Sequence, residues 1–283
     1  MIMNIIEVLL VPIFLGFIYE GILRKISARM QNRIGPPIWQ PLLDFVKLLS
    51  KESFEVVGSH HFLISFLSIL SVVSLLVIGF TFPFINLLNF RWDFILVIYL
   101  LMFSSTCFIL AGFSFPSPYT LIGSTREITL LLAYELPLII ILLFFGMSYH
   151  SLLSLPENLI FSFPLFFISF LLITQAKLGY QPFNIGEAEQ EIVAGYLTEC
   201  SGFELAMFNL AKSLRMFIMI SLASILFFNF KNILAFVLSS FIILFFVILF
   251  RVTLARFRID QGFKFLWIVS IPLILIDLIK AIL

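Results

Sequence analysis

The stretch FLISFLSILSVVSLLVIGFTFPFINL, residues 62–87, runs without one charged side chain. A helix of about 20 apolar residues is long enough to cross the hydrocarbon core of a bilayer, which is roughly 30 Å thick. Because lipid offers no partner to an unpaired backbone amide, such a segment must satisfy its hydrogen bonds internally, as a helix does. The stretch therefore predicts a transmembrane helix.

The rest of the chain has the same character. Of its 283 residues, 61% are hydrophobic, 12% are charged and 37 are phenylalanine, and its mean hydropathy is +1.15. Soluble domains are about half apolar and about a quarter charged. The sequence thus predicts an all-α fold, a polytopic membrane helical bundle of about eight transmembrane helices that forms a single integral membrane domain over residues 1–283. The seven further predicted spans are residues 2–23, 92–113, 127–145, 159–176, 203–228, 233–250 and 265–283.

Basic residues are distributed unevenly between the connections. Most of them fall in the segments 24–61, 114–126, 177–202 and 251–264, whereas the opposite ends of the spans carry Arg91, Lys231 and Lys280. By the positive-inside rule the four basic segments are predicted to be cytoplasmic loops. Both termini are then predicted to lie outside, in a multi-pass protein of the cell membrane.

The chain has few residues that could hold a cofactor. It contains two cysteines, Cys107 and Cys200, and three histidines, His60, His61 and His150, with no CxxC motif, no glycine-rich phosphate loop and no nucleophile triad. Such a set does not build an iron–sulfur or metal site. We therefore predict no cofactor in this chain and no nucleic-acid partner, and expect any redox cofactor to belong to partner subunits.

The first loop, RKISARMQNRIGPPIWQPLLDFVKLLSKE (residues 24–52), opens with basic residues at roughly helical spacing and breaks at Gly35-Pro36-Pro37. After Pro41, apolar positions fall on one face against Asp44 and Lys47. This pattern predicts a short amphipathic helix at the membrane interface. Two interpretations stay open: attraction of the basic residues to anionic lipid, or a docking platform for a soluble partner.

The segment YQPFNIGEAEQEIVAGYLTECSG, residues 180–202, carries four glutamates and no basic residue. We expect Asn184 to cap a short helix, with Glu187 at its third position in a capping box. Glu187 and Glu191 would then share one helix face, where like charges repel unless a proton or a cation lies between them. Such coupled carboxylates suit a proton relay; a solvated acidic loop and a partner-facing surface remain alternatives.

Ionisable residues also fall within the predicted spans. Glu135 is placed about two turns inside the fourth span, next to Pro137, and Glu127 lies eight residues before it. An ionisable group at that depth is a candidate functional site; the alternative is a protonated glutamate bound to a neighbouring helix. Lys212, eight residues after Glu204, either extends a chain of charges or snorkels to the surface. Near the span ends, Glu20 and Arg24 are predicted to form an i, i+4 pair, and Asp277 and Lys280 an i, i+3 pair.

Four segments together carry a family resemblance: the first loop, LIGSTREITLLLAYELPL (121–138), PFNIGEAEQEIVAGYLTECSG (182–202) and ARFRIDQ (255–261). They resemble the H-subunit family of respiratory complex I, the NADH–quinone oxidoreductase, and its counterparts in membrane-bound nickel–iron hydrogenases. The resemblance runs along the whole chain in order. It implies a subunit whose cytoplasmic loops hold the redox arm and whose buried carboxylates begin a charged path toward antiporter-like membrane subunits.

The resemblance also implies partners and roles. The partners would be hydrogenase-like large and small subunits, cluster-bearing soluble subunits, antiporter-like subunits and lipid; iron–sulfur clusters and a nickel–iron centre would belong to those partners. The predicted ion path comprises Glu127, Glu135, Glu187, Glu189, Glu191, Glu199, Glu204 and Lys212. The residues predicted to dock the redox arm are Arg24, Lys25, Arg29, Arg33, Asp44, Lys47, Arg126, Arg256, Arg258 and Asp260.

Departures from the complex I pattern favour one branch of the family. The RIGPPIWQP segment is contracted, Asn184 stands where an aspartate is common, Lys212 where a glutamate is frequent, and Leu197 where a histidine is frequent. We therefore predict a non-catalytic anchor and coupling subunit, linking electron transfer to proton or sodium translocation in a membrane-bound hydrogenase or sulfane sulfur reductase. The alternatives are a quinone-site-forming member of the H-subunit family and, third, a stand-alone secondary transporter, for which internal repeats would be expected.

Overall fold

The computed structural model describes residues 2–81, 93–152, 155–156, 159–228 and 233–282, without the side chains of residues 2–9, 189, 233 and 282. Arg91, Lys231 and the parts of the predicted spans at 82–87, 92 and 283 lie outside the described residues. Every regular element in the described part is a helix. The helices are α1 (Ile2–Met30), α2 (Gln40–Leu49), α3 (His61–Gly79), α4 (Asp93–Phe113), α5 (Pro118–Tyr149), α6 (Leu159–Ser162), α7 (Pro164–Lys177), α8 (Glu189–Ile192), α9 (Gly202–Phe227), α10 (Ile233–Thr253), α11 (Ile259–Phe265) and α12 (Ile271–Ile282), with a 3₁₀ turn at Gly195–Leu197 and a π turn at Leu266–Ser270.

The number of spans agrees with the sequence. Among the described residues, six helical segments are long and apolar enough to cross a membrane, namely α3, α4, α5, α9, α10 and the continuous run from α11 through α12. The 29-residue α1 and the shorter apolar α7 bring the described part of the chain to eight. The prediction of an all-α membrane bundle of about eight helices is confirmed.

Helix α9 is the centre of the bundle. It packs against α1, α2, α3, α7 and α10. In its most apolar 18-residue stretch, 94% of the residues are buried. Close approach needs small residues: a Cβ added to Gly16 of α1 would lie 2.7 Å from the backbone oxygen of Ser213 in α9. By contrast, α10 and the α11–α12 run are a third buried or less, so their apolar outer faces lie toward lipid or membrane partners.

Helix α5 begins earlier than expected. The sequence predicts a span over 127–145, but the helix starts at Pro118, after extended Ser117, and continues to Tyr149. Proline is favoured in the first turn, where its missing N–H costs nothing. Glu135 consequently lies roughly five turns from the start of α5 rather than two, and Pro137 is accommodated within the helix. Helical ends likewise extend into the predicted loops 24–61 and 251–264, because α1 runs to Met30 and α11 begins at Ile259.

The fifth span is broken rather than continuous. Helices α6 and α7 are separated at Phe163, directly before Pro164. Asp277 of α12 accepts a hydrogen bond from the backbone N–H of Phe166 at 2.9 Å, and Lys280 donates to the carbonyl of Ser162 at 2.8 Å. The predicted i, i+3 pair of Asp277 and Lys280 is therefore wrong: both side chains satisfy backbone groups that the break leaves open.

The amphipathic helix of the first loop is present as α2. Its Leu42 and Phe45 pack against the bundle core, with the ring of Phe45 5.4 Å from that of Phe17. This gives α2 an apolar face toward α1 and α9. A second apolar stripe, at spacings of four and three residues, stays exposed among the described residues; it consists of Trp39, Leu43 and Val46.

Candidate functional site

A cavity of about 240 Å³ lies where α1, α5, α7, α9 and α10 meet the segment 180–202. Most ligand pockets are lined mainly by apolar side chains, but this one is lined largely by ionisable and polar groups, and we call it the charged cavity. Its charged lining residues are Glu20, Arg24, Glu127, Lys177, Glu187, Lys212, Arg215 and Arg251, with Tyr180, Asn184, Tyr196 and Asn209 among the polar ones.

The 180–202 segment closes directly over Glu127. This carboxylate is buried on α5, and a Cβ added to Gly186 would collide with its Oε2. A second contact lies one turn earlier on α5, where a Cβ on Gly123 would lie 2.6 Å from the backbone nitrogen of Tyr196. Glycine at 123 and 186 therefore lets the loop backbone reach the helix, and the loop forms the roof of the charged cavity.

Glu187 binds Lys212 across the cavity. Its Oε1 lies 2.5 Å from the Lys212 ammonium and accepts a hydrogen bond from the Tyr196 hydroxyl. Burial raises the pKa of Glu187, but the charge and hydrogen bond of Lys212 and the hydrogen bond from Tyr196 outweigh it, so the pKa lies below its ordinary value. The carboxylate is thus held ionised at neutral pH. Lys212 pairs with Glu187 instead of extending alone to the surface.

Lys177 and Glu135 form the most buried ion pair among the described residues. The Lys177 ammonium bonds Oε1 of Glu135, with 0% and 3% of the side chains exposed, and lies 5.1 Å from the centroid of the Tyr134 ring. Oε2 of Glu135 has no hydrogen-bond partner within the described part. Because Lys177 also lines the charged cavity, the pair connects the cavity to Glu135 in the interior of the bundle.

Two guanidinium groups of the cavity rest on aromatic rings. Arg215 lies 4.4 Å from the Phe108 centroid and donates to the Ser104 hydroxyl at 3.4 Å, while Arg251 lies 4.7 Å from the Tyr180 centroid. Cation–π contact of this kind stabilises a desolvated cation. The two cations and the buried carboxylate of α5 add to a lining that carries both positive and negative groups.

Glu191 belongs to a different surface. It binds Arg126 and, at 3.0 Å, Arg256, beside an open groove of about 730 Å³ that Arg258 and Asp260 also line. Hydrogen bonding from Arg126 and the charge of Arg256 hold the pKa of Glu191 below its ordinary value. The exposed groove therefore brings together four of the predicted docking residues with one residue of the predicted ion path.

The expected capping box of this segment is wrong. Helix α8 begins at Glu189, with Ala188 at the N-cap position, so Glu187 precedes the helix and does not share a face with Glu191. Oδ1 of Asn184 has no partner among the described residues and the residue lines the charged cavity. The local pattern failed because Glu187 gains more from its charged partner on α9 than a cap would provide.

The other residues of the predicted ion path lie at different places in the structure. Three of them surround the charged cavity, namely Glu127, Glu187 and Lys212, and Glu135 reaches it through Lys177. Glu204 instead binds His61 and Ser65. Glu199 forms no hydrogen bond or ion pair with the described residues, and the side chain of Glu189 lies outside them.

The predicted docking residues outside the Glu191 groove differ in their pairing and exposure. Arg24 forms the expected pair with Glu20 and binds Asp44 at 3.2 Å, so it ties α1 to α2. Lys25 is half-buried. The other members outside the Glu191 groove are exposed: Arg29, Arg33 and Lys47.

Sequence reasoning missed several residues of the charged cavity. Lys177 follows a long apolar run and resembles a loop-side charge, while Arg215 and Arg251 lie in or at the end of apolar helices. Their only signal was depth: a cation within an apolar helix needs a partner, and each partner is distant in the sequence. In the described part, no three His, Cys, Asp or Glu side chains are placed to hold a metal ion.

The family model of NADH dehydrogenase matches residues 3–282. The chain is 32% identical to the H subunit of NADH-quinone oxidoreductase from Brevibacillus brevis, over 96% of this chain and 90% of the relative. It is also 32% identical to the corresponding protein of Protochlamydia amoebophila, over 90% and 88%. A chain in the solved structure of the membrane-bound sulfane sulfur reductase, an archaeal respiratory membrane complex, superposes with a TM-score of 0.90 at 28% identity, covering 99% of both chains.

These matches extend over the whole bundle and include every helix that lines the charged cavity. The resemblance of the four sequence segments is therefore confirmed at the level of complete chains. The chain belongs to the NADH dehydrogenase family.

Proposed function

We propose that this chain is the membrane subunit of a complex-I-like respiratory complex. In this proposal it anchors a soluble redox arm at its loops and passes changes of charge to ion-translocating membrane subunits. Both the family relatives and the superposed chain support a subunit of such a complex. The observation that carries the coupling role is the series of charged groups that leads from Glu187 on the loop 180–202, through the charged cavity, to the buried Glu135.

The mechanism moves protons and charge, and no other covalent bond is made or broken in this chain. A change in the docked arm displaces the loop that carries Glu187 and thereby alters its pair with Lys212. In a site of low dielectric, one altered pair shifts the energies of its charged neighbours. The adjacent groups are Glu127 and Lys177, and Lys177 holds Glu135. A proton can thus pass from the cavity toward the interior of the bundle.

The coupling role predicts a specific defect in the variant Glu135→Gln. Glutamine keeps the size and one acceptor oxygen for Lys177 but cannot exchange a proton. We expect electron transfer to an artificial acceptor to continue while ion pumping in sealed vesicles falls by about tenfold or more. Pumping is followed with a pH-sensitive dye or with radioactive sodium.

Glu52→Gln is the matched control, because Glu52 is an exposed carboxylate of the first loop outside the charged cavity. It should pump at the wild-type rate. Wild-type pumping by Glu135→Gln would refute the assigned role of the buried pair.

The proposed function also implies partner subunits and an orientation of the chain in the membrane. We infer hydrogenase-like and cluster-bearing soluble subunits at the loops, antiporter-like subunits and lipid beside the helices, and iron–sulfur clusters, with a nickel–iron centre in the hydrogenase branch, in those soluble partners. The loops would face the cytoplasm of a cell membrane, with both termini outside. Metal analysis of the copurified subunits and labelling of single cysteines introduced near each terminus test these points.

A quinone-reducing complex is the second candidate, because the relatives from Brevibacillus brevis and Protochlamydia amoebophila belong to NADH-quinone oxidoreductase. The sulfane sulfur reductase branch is favoured by the superposition over 99% of the chain and by the charged lining of the cavity, which suits ions better than an apolar quinone tail. Turnover of the purified complex with a soluble quinone or with polysulfide as acceptor distinguishes them.

A further inference from the structure

A second group of ionisable residues lies at the N-terminal ends of α3 and α9, outside the charged cavity. Nδ1 of His61 is 2.7 Å from Oε1 of Glu204. The hydroxyl of Ser65 donates to the same oxygen at 2.8 Å. On the other side of the ring, Nε2 of His61 is 3.8 Å from Oε1 of Glu55. The imidazole therefore stands between two carboxylates that belong to different parts of the chain.

Exposure falls steeply along this series. The side chain of Glu55 is 74% exposed and that of His61 is 30% exposed, whereas that of Glu204 is 2% exposed. The three groups thus lead from solvent at the first loop to a carboxylate enclosed by the bundle. The gap of 3.8 Å between His61 and Glu55 is longer than a hydrogen bond, so proton exchange across it requires a bridging water molecule or a small movement of the exposed Glu55 side chain.

The chemistry of imidazole suits this position. A neutral ring that donates from Nδ1 to a carboxylate presents Nε2 as an acceptor, and it can take a proton on one side while giving one up on the other. Ser65 holds the carboxylate oxygen in place, and the first turn of α9 favours a negative charge at Glu204. Nearby ionisable groups are Cys200, whose pKa is raised by burial and by the charge of Glu204, and Glu199.

We propose that Glu55, His61 and Glu204 form a second proton-transfer site, through which the N-terminal end of α9 exchanges protons with water at the first loop. A proton arrives at Nε2 of His61, the proton on Nδ1 passes to Glu204, and reversal of these steps returns it. No electron or other group is transferred. The proposal rests on the proposed function, because the proton taken up here serves a complex that moves ions.

A purely structural ion pair between α3 and α9 is the competing explanation, and the variants are chosen to separate the two. His61→Ala removes the exchanging ring. The neighbouring His60→Ala is the matched control, because His60 is an exposed imidazole that lies outside the series. Glu204→Gln retains an oxygen that accepts from His61 and Ser65 but cannot take up a proton.

The measurement is proton uptake during turnover by the intact complex in sealed vesicles, across the range in which imidazole titrates, with and without added imidazole. We expect His61→Ala and Glu204→Gln each to lower the rate by about tenfold or more. Imidazole in solution should restore uptake to His61→Ala and leave Glu204→Gln unchanged. His60→Ala should behave as the wild type.

Two results would overturn the proposal: normal uptake by Glu204→Gln, or a loss in His61→Ala that imidazole leaves unaltered while the complex stays assembled. If His61→Ala prevents assembly, the result for Glu204→Gln decides alone. Failure of the proposed function looks different, because the wild-type complex itself would then turn over without moving ions.

Discussion

Lys212 carries a charge on a helix that is otherwise almost wholly buried, and Glu187 is the group that neutralises it. Their contact is 2.5 Å long, and Tyr196 contributes both a hydrogen bond to Glu187 and a ring 5.9 Å from the ammonium. The stability of the cavity roof therefore depends on this pair, because each partner would otherwise be a partly desolvated charge.

The variant Lys212→Met should therefore unfold at a lower temperature at neutral pH. Loss of the charged hydrogen bond costs about 1.5–3 kcal/mol. Because the folded-state pKa of Glu187 lies below its ordinary value, the stabilisation is present above the unfolded pKa and is lost as the pH falls through the folded one. The difference in melting temperature from the wild type should shrink as the pH drops below about 4.

Thermal unfolding in detergent, measured at neutral pH and in the acidic range, checks this prediction. Lys47→Met is the control, because Lys47 is exposed and makes no ion pair with the described residues; its melting temperature should match the wild type at both pH values. An undiminished deficit of Lys212→Met in acid would show that lost packing, and not the ion pair, is responsible.

Individual residues also show what sequence patterns could and could not predict. An ionisable group in an apolar chain is costly unless it has a role or a partner, which made candidate functional residues of Glu127, Glu135, Glu187 and Lys212. The sequence did not reveal which residues they bind, since Lys177 and Glu135 are 42 positions apart and Glu187 and Lys212 lie on different elements. The expected cap of the acidic segment failed for the same reason: a tertiary ion pair replaced a local hydrogen bond.

The break between α6 and α7 depends on α12. Hydrophobicity predicted one span over 159–176, and Pro164 within it was the sign of an interruption. The acceptor that satisfies the new helix end is Asp277, 111 residues away, which no local pattern indicates. The start of α5 at Pro118 was missed likewise, because Thr120, Ser124 and Arg126 interrupt the apolar run in these first turns although the turns are helical.

Asp277→Ala should destabilise the protein by about 1–3 kcal/mol, because the backbone N–H of Phe166 would be left buried without an acceptor. Asp277→Asn keeps a side-chain oxygen for that N–H and should lose less. Unfolding monitored by circular dichroism in detergent gives the comparison. Equal loss in the two variants would mean that the hydrogen bond to Phe166 is not the source of the effect.

The bundle separates two kinds of surface. The helices α10 and α11–α12 expose apolar faces, whereas the loops expose charged residues, among them Arg29, Arg33 and Arg258. Composition and charge distribution were enough to predict this division. They did not predict that Arg24 and Asp44 bind each other, which removes both from the freely exposed set.

Arg29 and Arg33 are the first-loop arginines that remain exposed, so the docking hypothesis applies to them most directly. Arg33 donates a hydrogen bond to its neighbour Gln31. If these guanidiniums bind acidic groups of a soluble arm, the double variant Arg29→Ala/Arg33→Ala should release the arm from membranes. In the wild type, raising the salt concentration should weaken the same attachment, since exposed charge pairs are screened over about 8–10 Å at physiological salt.

The readout is the fraction of soluble subunits that remains with the membrane fraction, together with the size of the complex on a native gel. Arg29→Lys/Arg33→Lys is the matched control. It keeps both charges and should retain most of the arm, with a partial loss if paired guanidinium–carboxylate bonds matter. An intact complex in the alanine variant would refute docking through these arginines and leave attraction to anionic lipid as their role; binding of the isolated chain to vesicles of neutral and anionic lipid would then depend on the same two residues.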